Sequence, residues 1–174
     1  MKKLSSLLIV LSVAMVFVSC KKSNSSTASG GYYFKAKFDG GSKDFSGQVN
    51  AIKSNLGQGT YSLIITGITG TEESGLTLWS DKDDFTAGKT FTLSALGGTA
   101  YNLLVYAAPL GSSDPSSQWT STYDYATVTQ SFQCTITEST SAYIKGTFSS
   151  VIYQNNDQTV AKKTVTEGQF YAKF

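Results

Sequence analysis

From Tyr32 to Phe174 apolar residues recur with a period of two, and breaks rich in Gly, Asn, Asp and Ser interrupt the pattern. That rhythm constrains the fold more than any other feature. Successive side chains of a strand point to opposite faces, so alternation marks a half-buried strand. Tyr32, Phe34, Ala36 and Phe38 alternate with Tyr33, Lys35 and Lys37. Asp39-Gly40-Gly41-Ser42 then reads as a turn. A strand around Phe45–Ile52 follows, then the turn Asn55–Gly59, and Tyr61–Ile68 is β-branched and apolar on both faces. A turn over Gly70–Gly75 precedes a short strand, Leu76–Trp79. Lys89–Leu93 and Tyr101–Ala108 come next. Val128–Thr137 and Ala142–Tyr153 form an expected hairpin with Glu138–Ser141 at its tip. Val160–Val165 and Gln169–Phe174 close the chain.

No stretch carries a capped 3.6-residue stripe, and Pro109 and Pro115 both avoid strand interiors. About nine or ten strands at spacings of roughly 8–15 residues predict an all-β fold. An antiparallel β-sandwich is the expected architecture, with a closed β-barrel as the alternative. Tyr61–Ile68 and Tyr101–Ala108, apolar on both faces, should lie centrally. The last strand, with Phe170, Ala172 and Phe174 inward, should be paired within the fold.

The first twenty residues follow a different rule. Lys2 and Lys3 precede a mostly apolar run, Leu4–Val18, which ends at Ser19-Cys20. A membrane-spanning helix needs roughly 20 apolar residues. This run is shorter, and its basic start and small-residue end read as a secretory signal peptide. Phe17-Val18-Ser19-Cys20 resembles the lipobox of bacterial lipoproteins, with Phe17 where an aliphatic residue is usual. The resemblance implies cleavage before Cys20, a diacylglyceryl group on its sulfur, an acylated amine and attachment to the membrane. One acyl chain holds marginally and two hold firmly. The organisation expected is a signal peptide over 1–19, a lipidated cysteine and polar tether over 20–30, and one β-domain over 31–174. The tether KKSNSSTASG has no apolar periodicity.

Composition narrows the chemistry. The formal charge of +2 comes from the signal: without Lys2 and Lys3, 12 lysines face 12 acidic residues. A near-neutral domain gives no electrostatic reason to expect nucleic acid as a partner. There is no His, which removes imidazole as a base, ligand or pH switch. There is no Arg either, which removes bidentate anion capture. No phosphate loop, nucleophile elbow or dinucleotide fingerprint occurs, so no cofactor is expected and the enzyme class recedes. Cys134 alternates with Phe132 and Ile136 and reads as a buried small hydrophobe. With Cys20 lipidated it has no partner for a disulfide.

Three clusters carry candidate sites. Asp81-Lys82-Asp83-Asp84 places Asp81, Asp83 and Asp84 together, a weak candidate for Ca²⁺. The EF-hand spacing fails at Thr86 and Thr92, and a solvated turn is the simpler reading. The loop Leu110–Tyr125 sets Trp119, Tyr123 and Tyr125 among Ser, Thr, Gln and Asp. Flat aromatics beside hydrogen-bonding groups suit a sugar or a protein surface, or else cap the end of the core. Glu72-Glu73, Asp83 and Glu138 lack the opposed spacing of a glycosidase pair.

The mature part resembles small all-β lipoprotein domains of unknown function from Bacteroidota. The resemblance rests on Phe34-Lys35-Ala36-Lys37-Phe38-Asp39-Gly40, Ile144-Lys145-Gly146-Thr147-Phe148 and Thr166-Glu167-Gly168-Gln169-Phe170. It implies an outer-membrane location, on the periplasmic or surface face, and brings no site residues. The expected function is non-enzymatic binding of a glycan or an envelope protein. A structural envelope lipoprotein without small ligand, or a calycin-like carrier of an apolar ligand, are the alternatives.

Overall fold

The computed structural model describes residues 31–93, 95–96, 100–112, 114–121 and 132–174. Thirteen strands lie among them: β1 Tyr33–Phe38, β2 Gly41–Asp44, β3 Gln48–Asn55, β4 Tyr61–Thr69, β5 Glu72–Ser80, β6 Thr90–Thr92, β7 Ala95–Leu96, β8 Ala100–Tyr101, β9 Leu103–Ala107, β10 Gln118–Thr120, β11 Gln133–Ser139, β12 Tyr143–Gln154 and β13 Lys162–Lys173. The nine or ten expected strands grow in number through β2, β7, β8 and β10, each four residues or shorter.

One sheet runs β2-β1-β13-β3-β4-β5-β9-β10-β12-β11-β6, and β13 also pairs with β12. That last pairing brings the order back on itself. The result is an all-β fold of the sandwich kind, with β3–β4–β5–β9 facing β1, β13, β12 and β11 and the two halves joined at their edges. All pairings between named strands are antiparallel except β13 with β3, which meet in parallel at Lys173 and Asn50. As expected, β4 and β9 lie inside the sheet order, each with a paired strand on both sides.

The core is aromatic where the halves meet. Phe34 is fully buried and touches Phe45 and Phe148, with ring centroids 6.0 and 5.0 Å apart. Phe38 and Tyr106 meet at 5.1 Å across the gap. These rings fill the region where the halves meet. Cys134 is buried without a disulfide, and desolvation pushes its thiol up to about 12. Its place among Phe91, Phe132 and Ile136 in the core is that of a small hydrophobe.

Two further stretches depart from the expected elements. Glu72–Gly75 was expected as a turn but is the first half of β5, and the turn contracts to Gly70-Thr71. Glu72–Gly75 pairs with Thr69–Thr66 of β4 and Ser74 also meets Tyr106 of β9, so ladder bonds on both sides override the local turn chemistry. The two expected closing strands are one. β13 runs through Thr166–Gly168 because a bulge there absorbs the break. Glu167 takes the left-handed conformation, φ 53°, and its carboxylate reaches Lys37 Nζ at 2.7 Å. Bulges insert a residue without ending the pairing.

Close packing sets one strict requirement. A Cβ on Gly146 would lie 2.4 Å from the Phe170 ring and 2.5 Å from the Thr135 carbonyl oxygen. Overpacked cores cost about 1–3 kcal/mol. Gly146→Ala is expected to lower unfolding stability by about that amount, measured by denaturant titration; an unchanged midpoint would contradict this packing.

Candidate functional site

The outward positions of β1, β13, β12 and β11 build a continuous surface. Register places Tyr33 opposite Tyr171, Tyr171 opposite Lys145, and Lys145 opposite Glu138. The next outward row runs Lys35, Gln169, Thr147, Thr135, Thr90, across five strands. Neighbouring strands lie about 4.8 Å apart, so each row presents side chains at a regular pitch. Aromatic and hydroxyl pairs across strands are favourable, and Thr90 and Thr135 share a hydrogen bond at 3.0 Å.

Tyr171 is the centre. Its ring meets Tyr32, Tyr33 and Tyr143 edge-on at 4.7, 6.0 and 5.1 Å. Lys145 Nζ stands over both Tyr171 and Tyr143, 4.7 and 5.1 Å from their centroids, and Lys35 Nζ stands 4.8 Å over Tyr33. Ring faces attract ammonium groups through their quadrupole. Glu138 accepts from Lys145 Nζ at 2.7 Å and from the Tyr143 hydroxyl. These bonds hold the Glu138 carboxyl below its ordinary range and raise Tyr143 and Lys145. Among the described residues, no carboxylate pairs with Lys35 or Lys173. The platform therefore offers tyrosine edges and hydroxyls, an amide, a threonine row and uncompensated positive charge.

Of the residues singled out in the sequence, Glu138 belongs to this platform, while Trp119, Glu72, Glu73 and the acidic turn lie elsewhere. Trp119 lies in β10, opposite Tyr106 and Gln154. It packs half-buried against the core, with Lys163 Nζ 4.2 Å over its ring. This is the place of a core cap. Tyr123, Tyr125 and Cys20 lie outside the described residues. In the acidic turn, Asp84 accepts from Lys89 Nζ at 2.5 Å and from Ser80 Oγ at 2.6 Å, and Asp83 pairs with Lys53 at 3.0 Å. Asp81 is exposed. No group of three or more Asp, Glu, Cys or His side chains suited to a metal occurs among the described residues. Glu72 and Glu73 point to opposite faces of β5. Glu72 binds Lys43 Nζ at 2.7 Å and accepts from the Tyr106 hydroxyl at 3.1 Å, which joins β2 to β5 and β9. The bond to Lys43 lowers the Glu72 carboxyl; burial opposes the Lys43 ammonium, but its bonds to Glu72 and Tyr106 prevail and raise it.

Sequence reading passed over the platform. One signal was present: Tyr33, Tyr143 and Tyr171 occupy the polar phase of their strands, where Lys, Thr and Gln otherwise stand. Trp119→Ala is expected to lower stability by about 1–3 kcal/mol, read as a shifted thermal midpoint. A variant as stable as the parent would mean the ring carries no packing. Compared with known protein families, with curated proteins and with solved structures, the chain matches none.

Proposed function

We propose that the chain is exported, processed and lipidated at Cys20, and held at the outer membrane as a non-enzymatic binding module that takes a glycan on its tyrosine–lysine platform. The observation that carries the binding role is the row Tyr33–Tyr171–Lys145–Glu138 beside the row Lys35–Gln169–Thr147–Thr135–Thr90. A glycan presents apolar ring faces bordered by hydroxyls. Tyrosine supplies apolar area at low entropy cost and a polar tip, while Thr, Gln and Lys supply donors and acceptors at strand pitch. Lys35 and Lys173 add positive charge without carboxylate partners, which favours sugars bearing carboxylate or sulfate. The absence of His and Arg from the chain fits binding rather than catalysis. The apolar run ending at Cys20 supports the anchor.

Glycan arrays of neutral and acidic polysaccharides test the binding role. Acidic polymers are expected to bind best and to weaken with rising salt, as exposed charges are screened. Tyr33→Ala and Lys35→Ala should each weaken binding at least about tenfold, a loss of about 1.4 kcal/mol, while Trp119→Ala leaves it intact once folding is matched. Binding by no glycan, or by both platform variants as tightly as the parent, would count against the reading. For the anchor, Cys20→Ala is expected to abolish metabolic labelling with fatty acid and to leave unprocessed precursor; normal labelling of that variant would refute lipidation.

A further inference from the structure

The opposite face of the fold, formed by the outward sides of β4, β5 and β9, has a different character. Register sets Thr66 opposite Gly75 and Gly75 opposite Val105. With no side chain on Gly75, a shallow depression opens there, walled by Ile64, Thr66 and Val105 with Glu73 at its edge. Beside it on β3, Ile52 is 51% exposed and pairs with Ile64. Glu73 carries the one charge among the outward positions of these three strands. Its Oε2 is inaccessible and has no hydrogen-bond partner among the described residues. A buried acceptor left unmade is costly. Desolvation pushes the Glu73 carboxyl above its ordinary range.

We infer that this face docks a protein segment presenting a lysine or arginine among aliphatic side chains, the cation meeting Glu73 and the aliphatics covering Ile64 and Val105. Charge complementarity selects this occupant. A second copy of the chain packed by two-fold symmetry on this depression would set its own Glu73 against the first, and two carboxylates in a dry interface disfavour each other's ionisation. An anionic lipid surface would repel the same carboxylate. A cation flanked by apolar groups compensates the charge of the Glu73 carboxylate and removes the aliphatic surface from water together.

A randomised peptide display library, panned against the protein purified from its producing cells, tests the inference. Enriched peptides should carry Lys or Arg flanked by Val, Ile or Leu. Enrichment should fall at least about tenfold on the isosteric variants Glu73→Gln and Val105→Thr, and should persist on Tyr33→Ala, whose platform lies on the other face. Cooperative melting of each variant establishes that it is folded, and two variants guard against the loss of one. The inference is overturned by a panel without enrichment, by enriched peptides lacking a cation, or by enrichment that survives Glu73→Gln. Sedimentation showing a dimer that Val105→Thr dissociates would assign the face to self-association instead. Flotation with phosphatidylglycerol vesicles that Val105→Thr abolishes would assign it to lipid. A failed glycan array with a successful panel would leave this face standing and remove the platform reading alone.

Discussion

The double pairing of β13 is the constraint on which the molecule depends. This last strand hydrogen-bonds β1 on one side and β12 along ten register pairs on the other, and then touches β3 at Lys173. It joins the first strand to the long hairpin near the end of the chain, so the ends of the described sequence are locked together. Its inward residues Val165, Phe170 and Ala172 are buried, and its outward Tyr171 organises the platform. Core and candidate site are two faces of one strand, which alternation makes possible. A shift of one residue in its register would exchange them.

Long-range pairing of this kind explains what the sequence could and could not reveal. Alternation is local, so Tyr33–Phe38, Tyr61–Thr69 and Tyr143–Gln154 were legible as strands from their own residues. Pairing partners are not local. That Tyr33 meets Tyr171, and Thr90 lies in line with Lys35, depends on which strands are neighbours, and no spacing in the chain states that. Glu72–Gly75 shows the same limit: Thr71-Glu72-Glu73-Ser74-Gly75 has the chemistry of a turn, and only the ladders from β4 and β9 hold it extended. Trp119 shows a related limit. Its neighbours look like a polar loop, yet Gln118, Trp119 and Thr120 pair with β9, Trp119 and Thr120 also pair with β12, and the ring packs half-buried against the core.

The two outer faces divide the chemistry. The platform is rich in Lys, Tyr and Thr, while the face of β4, β5 and β9 sets Ile64, Ile68, Leu103 and Val105 beside Thr66, Thr77 and Trp79 with a single acid. Sheet edges are handled separately: β2 is four residues long and carries Lys43 and Asp44, and β6 is three residues long. Short edges, one of them charged, discourage further strand addition, which leaves the broad faces as the surfaces open to partners.

Tyr33 stands two residues after Gly31, where the described chain begins, and directly opposite Tyr171. In the anchored reading proposed above, this has a mechanical meaning. Tension between a membrane and a polymer held on the platform would enter at the start of β1 and leave through Tyr171 and Lys145. It would cross three neighbouring strands and bypass the β4–β5–β9 half. The fold would bear load at one end while the rest of its core stays slack.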